Sequence, residues 1–179
     1  MTKNKRYRNI NKITDNIATS ATNNVLGTID NFISISYDTV DNALLPVASD
    51  LKSKCIYCPC DDTRFSTIWK YLHTNFTKLG LNKLIATFKT KDNSSSFVII
   101  YYGGNDGDCC VGSVKPLIAN GDFISTELKQ FFDECDIIIT NPPYNRYEEF
   151  MNYIKAFKKE YIIVGYRPSI RLRDIVVDS

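Results

Sequence analysis

The run Cys-Asp-Ile-Ile-Ile-Thr at residues 135–140, closed almost at once by Pro142 and Pro143, constrains the fold of this chain more than any other feature. Three consecutive isoleucines show no alternation of apolar and polar positions, so the segment reads as a strand buried on both faces. Such strands sit at the centre of parallel sheets, where crossover helices cover both sides. The prolines end the ladder, because they have no N–H to donate to it.

The flanking sequence supplies the other elements. Lys54 to Cys58 is a short apolar run followed by Pro59, Cys60, Asp61 and Asp62 as turn and helix-cap residues. From Thr63 to Leu79, Phe65, Ile68, Trp69, Leu72, Phe76 and Leu79 recur at helical spacing, and Gly80 stops the helix. Lys83 to Phe88 then predicts a strand parallel to the first. Phe97 to Tyr102 and Val111 to Leu117 predict a β-hairpin inserted into the sheet, with Gly103 to Gly107 as its turn. Thr126 to Phe132 reads as a helix, Tyr147 to Phe157 as another, and Tyr161 to Val164 as a further parallel strand. Residues 38 to 51 read as a short helix or turn, which Pro46 bends or ends. The alternation predicts a doubly wound α/β fold with a mostly parallel sheet and helices on both faces.

Composition narrows the setting. With 44% hydrophobic and 23% charged residues the chain reads as a soluble globular protein, and no apolar stretch is long enough for a membrane span. No export signal follows the first lysines, so the reading is cytoplasmic, with the six cysteines reduced. Zinc is disfavoured: Cys55, Cys58 and Cys60 straddle a strand, Cys109 and Cys110 are adjacent, and His73 falls in a helix pattern. No metal ligand is assigned. Residues 1–27 are polar, and Lys3, Lys5, Arg6, Arg8 and Lys12 make them basic while the remainder is slightly acidic. They read as a disordered arm, although such an arm can also track nucleic-acid phosphates.

Ligands of open α/β sheets bind beyond the carboxyl ends of strands, where Asp61, Asp122 and Asn141 all fall. Asn141, Pro142, Pro143 and Tyr144 suit the methylation of an adenine amine, a poor nucleophile whose lone pair is delocalised into the ring. The Asn141 side-chain oxygen and the Pro142 carbonyl each accept one amino hydrogen, which turns the nitrogen lone pair towards a methyl donor. Pro143 stiffens the backbone, and Tyr144 offers a ring on which an extruded base can stack. The same four residues also fit a plain turn after a strand. Asp61 and Asp62 stand where a glycine-rich loop is common. They suit either the ammonium of a methionine-type cofactor, whose carboxylate would meet the amides of the Thr63 helix, or simple helix capping. Asp122 can accept from the cofactor's adenine amino group with Phe123 stacked on the ring, or serve as an ordinary loop residue.

The residues Tyr57-Cys58-Pro59-Cys60-Asp61-Asp62, Trp69-Lys70-Tyr71, Asn75-Phe76, Leu79 to Ile85, Gly121-Asp122-Phe123 and Asp136 to Pro143 stand in an order and spacing that resembles the EcoRI-type adenine-specific DNA methyltransferases. The resemblance covers roughly residues 54 to 164. It implies a Rossmann-like methyltransferase core, S-adenosylmethionine as cofactor, duplex DNA as partner, a catalytic role for Asn141 to Tyr144, and a cofactor side made of Cys58, Asp61, Asp62, Asp122 and Phe123. It also suggests a restriction-modification setting and leaves open whether a cognate restriction endonuclease exists. Tyr144 replaces the Phe that relatives often carry. Members of the family continue past Ser179, so the expectation is residues 28–166 as a catalytic core incomplete at its C-terminal side, with 167–179 as an unmatched tail. Two other readings stay open: methylation of RNA or of a protein glutamine, and a non-catalytic remnant that binds nucleic acid or a partner.

Overall fold

The computed structural model describes residues 34–90, 95–109 and 111–165, together with the backbone of 175–178. The basic arm at 1–27 lies outside the described residues. The strands are β1 (Cys55–Cys58), β2 (Lys83–Lys89), β3 (Ser96–Tyr101), β4 (Ser113–Pro116), β5 (Ile137–Thr140), β6 (Glu160–Val164) and β7 (Ile175–Asp178). They form one sheet in the order β4-β3-β2-β1-β5-β6-β7. The central four, β2, β1, β5 and β6, run parallel, whereas β3, β4 and β7 pair antiparallel at the two margins.

Burial explains the order. Every residue of β1 and β5 is buried, so these strands take the centre, while all four residues of β4 are exposed and it takes an edge. Alternate side chains of the central strands feed two separate cores. Ile56, Cys58, Leu84, Ala86, Ile137 and Ile139 point to one face, where α1 (Tyr37–Leu44), α2 (Thr67–Thr74) and α3 (Phe76–Leu79) pack. Tyr57, Ile85, Ile138 and Ile163 point to the other, under α4 (Thr126–Glu134) and α5 (Tyr147–Lys155). Trp69 anchors the first core and Tyr57, Phe132 and Phe150 the second, each below 2% exposed, and each such ring stabilises the fold by about 1.5–3 kcal/mol. No helix among the described residues is long and apolar enough to cross a membrane.

Three sequence expectations need correction. The helix anticipated from Thr63 to Leu79 is two helices, and its start lies later. The Ser66 hydroxyl accepts from the Trp69 amide as N-cap, and Asn75, at φ −102° and ψ 15°, breaks α2 from α3. Phe65 therefore lies outside the helix and is 68% exposed. Neither Asp61 nor Asp62 is the cap. The hairpin β3–β4 lies at the margin of the sheet instead of being inserted in it; β3 starts and ends one residue earlier than anticipated, and β4 is shorter, Ser113–Pro116 in place of Val111 to Leu117. The loop after β3 folds back onto α2: Trp69 Nε1 donates to the Cys109 carbonyl at 2.9 Å, and His73 Nε2 lies 3.0 Å from the Val111 carbonyl. Residues 38–51 are α1 followed by a 3₁₀ turn at Leu45–Asp50, with Pro46 in its first positions, where a missing N–H costs nothing.

Cys55, Cys58, Cys60, Cys109 and Cys135 are free thiols. Burial pushes Cys55 up to about 11 and Cys135 up to about 12, so neither ionises near neutrality. Among the described residues no group of three or more His, Cys, Asp or Glu side chains is placed to hold a metal ion.

Candidate active site

β1 and β5 are neighbours, and the chain leaves β1 for β2 on one side and β5 for β6 on the other. Parallel neighbours whose successors depart in opposite directions leave a crevice beyond their carboxyl ends. Asp61 follows β1 there and Asn141 follows β5.

Asp61 is only 3% exposed. Its Oδ1 accepts from the Ser66 hydroxyl at 2.5 Å, and its Oδ2 from the Thr140 hydroxyl at 2.5 Å and the Asn141 amide at 3.4 Å. All three partners are neutral, and among the described residues no cation pairs with it. Burial therefore pushes its carboxyl from the usual 3.8 up to about 6, although the three hydrogen bonds pull the other way. A dry carboxylate without a counter-charge is costly, and an ammonium arriving from outside relieves that cost. On this ground the residues present fit the amino-acid end of a methionine-type cofactor.

Thr140 joins the two sides of the crevice, since its hydroxyl also accepts from the Cys60 amide at 3.3 Å. Thr87 on β2 adds a second stitch by donating to the Pro59 carbonyl at 3.1 Å, with the Tyr57 hydroxyl 2.7 Å away. The loop from Pro59 to Asp61 is thus fixed to both neighbouring strands. Asp62 does not share Asp61's surroundings: Arg64 grips its carboxylate through Nη2 at 2.6 Å and Nε at 2.9 Å. The Cys58 thiol is a core group, fully buried among Ile56, Trp69 and their neighbours, and burial holds its pKa well above the usual value.

The segment Gly121-Asp122-Phe123 comes to the same end of the sheet beside β2. Gly121 has φ +64°, and a Cβ there would stand 2.4 Å from that of Ser96, so only glycine lets the loop lie this close to the strand pair. Asp122 Oδ2 accepts from Arg146 Nη1 at 2.6 Å and lies 3.7 Å from Lys89 Nζ. Burial alone would raise the Asp122 carboxyl, but Arg146, the Ile124 amide and Lys89 together hold it below the usual range. Phe123 is 3% exposed and packs edge-on against Phe150 at 5.1 Å, while the Arg146 guanidinium lies over its ring at 4.4 Å. Burial first, then Asp61 and Asp122, push the Cys60 thiol well up, which places Cys60 within the field of both acids.

In the tetrad Pro142 is buried, Asn141 and Pro143 are half-buried, and Tyr144 is 41% exposed. The Pro143 carbonyl accepts from the Arg146 amide at 3.1 Å and starts the 3₁₀ turn Tyr144–Arg146. No hydrogen bond among the described residues reaches the Pro142 carbonyl. Asp61 and the Asn141 backbone are thus in direct contact, while Asp122 is held by Arg146, whose amide bonds to the Pro143 carbonyl of the tetrad. Sequence reasoning missed Ser66, Thr140 and Arg146. The pattern of a serine just before the apolar face of a helix could have revealed Ser66; nothing in the sequence marked Arg146.

These features define a doubly wound α/β domain whose switch point, the place where such sheets bind ligands, is bordered by an acid after β1, an acid and an aromatic ring beside β2, and an asparagine after β5. The chain belongs to the family described as adenine-specific methyltransferase EcoRI, whose sequence profile matches residues 29–177. That span includes most of β7. The chain is similar to Type II methyltransferase M.EcoRI of Escherichia coli, 29% identical over 150 residues, covering 78% of this chain and 46% of the relative. It is also similar to Type II methyltransferase M.MpnI of Mycoplasma pneumoniae, 30% identical over 127 residues, covering 69% of this chain and 37% of the relative. The chain spans less than half the length of these curated relatives. No solved structure matches it.

Proposed function

We propose that this chain is the cofactor-binding and catalytic part of an adenine-specific DNA methyltransferase, taking the methyl group from S-adenosylmethionine to the exocyclic amine of an adenine turned out of duplex DNA. The observation that carries the reading is the contact across the switch point. The Asp61 carboxylate accepts from the Thr140 hydroxyl and from the Asn141 backbone N–H, so the acid suited to a cofactor ammonium is tied to the main chain of the residue whose side-chain oxygen suits an adenine amine.

Each residue then has a distinct task. Asp61 accepts the ammonium, which gives its buried carboxylate a counter-charge. The sulfonium of the cofactor supplies an electrophilic methyl. Asn141 Oδ1 and the Pro142 carbonyl accept the two amino hydrogens of adenine, and nothing else among the described residues competes for the Pro142 oxygen. The Pro142 carbonyl belongs to a buried backbone stiffened by two prolines, so that acceptor reorganises little during the reaction. Tyr144, exposed beside them, stacks on the extruded base. Asp122 and Phe123 form the subsite for the cofactor's own adenine. The amino proton released on transfer leaves to solvent.

The test is transfer of labelled methyl from S-adenosylmethionine to duplex DNA, with the product nucleoside identified by mass. N6-methyladenine is the expected product, and Asn141→Ala is expected to slow transfer by about 100-fold to 1,000-fold while cofactor affinity stays within about threefold. Cofactor binding without any methylation of adenine would overturn the proposed substrate.

A further inference from the structure

Arg146 makes the two contacts that the reading above gives to the cofactor's adenine. Its Nη1 donates to Asp122 Oδ2 at 2.6 Å, and its planar guanidinium lies 4.4 Å over the Phe123 ring. A guanidinium and an adenine share the relevant chemistry: each is a flat π-faced group with an N–H at its rim, able to stack on an aromatic ring and donate to a carboxylate. Both cannot occupy one face of Phe123 and one oxygen of Asp122. Phe123 is 3% exposed, and Phe150 and Tyr153 already pack against it.

The remaining contacts of Arg146 show how it can leave. Its Nε and Nη2 donate to the two carboxylate oxygens of Glu149 at 2.7 and 2.9 Å. Arg146 and Glu149 are three residues apart at the start of α5, so this pair can move as a unit with only the Asp122 and Phe123 contacts broken. Arg146 has φ −123° and ψ 19° and ends the 3₁₀ turn that follows the prolines, and its amide bonds to the Pro143 carbonyl. Arg146 thus closes the turn that carries Tyr144, directly after the prolines.

We propose that Arg146 is a resident occupant of the adenine subsite, which S-adenosylmethionine must displace in order to bind. The inference rests on the proposed cofactor reading and adds a competitor to it. When an open site is only fractionally populated, apparent affinity falls by that fraction. A competitor open for roughly 1–10% of the time gives a tenfold to hundredfold loss. Arg146→Ala should then bind S-adenosylmethionine about tenfold or more tightly, and Arg146→Lys, which keeps the charge but loses the flat face and the fork, should fall between the two.

The experiment is calorimetric titration of wild-type, R146A and R146K protein with S-adenosylmethionine and, separately, with adenosine, which probes the adenine subsite alone. Thermal melts without ligand establish that each variant is folded, and R146K serves if R146A is not. Tighter binding of both ligands by the variants is the expected result. Unchanged or weaker binding in folded variants, with wild-type protein binding normally, overturns the competitor and leaves the cofactor reading intact. Absence of binding to every form overturns both.

Discussion

Asp61→Asn is expected to stabilise the ligand-free protein at neutral pH and, in the same molecule, to destroy cofactor binding. The carboxyl is buried, has only neutral partners, and is pushed from 3.8 up to about 6. A folded-state value above the unfolded one means that the folded protein holds its proton more tightly. The stabilisation from this group is therefore complete below about pH 4 and is lost as the pH rises through 6. The gap between those two values corresponds to roughly 3 kcal/mol, an upper bound on what the fold gives up by ionising Asp61. An amide is never charged and escapes that loss, but its NH₂ must face one of the two hydroxyls, which then turns to accept. Allowing for this, we expect a net gain of about 1–2 kcal/mol at pH 8, or roughly 2–8 °C in Tm, falling towards zero near pH 4.5. Urea denaturation of both proteins at several pH values between 4.5 and 8 measures the difference. A gain that does not change with pH, or a loss that grows towards pH 8, would refute the assignment of Asp61 as an uncompensated buried acid. Calorimetry with S-adenosylmethionine completes the comparison, because the stabilised variant should bind at least about tenfold more weakly once the ammonium has lost its counter-charge.

Thr140→Val removes the hydroxyl that donates to Asp61 and accepts from Cys60; a loss of about 1–3 kcal/mol in urea denaturation is expected, and the Asp61 carboxyl should titrate at higher pH by NMR. Gly121→Ala places a methyl 2.4 Å from Ser96 Cβ at a positive φ, so a loss of about 2–4 kcal/mol should appear in the same assay. Tyr144→Ala should lower kcat/KM for DNA by about 10-fold to 100-fold and leave Tm nearly unchanged, whereas Tyr144→Phe should act like the wild type, as read in methyl transfer with varied DNA.

The central architecture was legible because burial on both faces leaves an unambiguous trace. Ile137 to Ile139 and Cys55 to Cys58 read as strands without reference to anything else, and the spacing of Ile68, Trp69 and Leu72 identified a helix. The start of that helix was misread because Phe65 continues the apolar spacing by chance, while Ser66, the actual cap, looks like any other serine. The margins of the sheet were harder. β4 has no buried residue, so its strand character comes from pairing with β3 and leaves no pattern in its side chains. The meeting of Asp61 and Asn141 is legible because each follows a central strand of the parallel sheet. Arg146 is not, since its role follows from a contact with Asp122 across 24 residues that depends on where two loops meet. The Cys58 thiol was drawn towards the site only by its neighbours in sequence, whereas strand alternation sends it into the core.

The stitch between β1 and β5 also bears on how the protein acquires its shape. The hydrogen bonds that join Cys60 and Asp61 to Thr140 link residues 80 and 79 positions apart, and the bond from the Cys55 amide to Asp136 spans 81. Contacts of such long range form only after the intervening chain has given up much of its freedom, and proteins dominated by them fold slowly. A fragment that ends before β5 has Asp61 but lacks Thr140 and Asn141, two of the three partners of its carboxylate. A growing chain of this sequence therefore stays without its site until β5 has joined the sheet, and the Asp61 proton, held only in the assembled crevice, offers a signal of the moment when that happens.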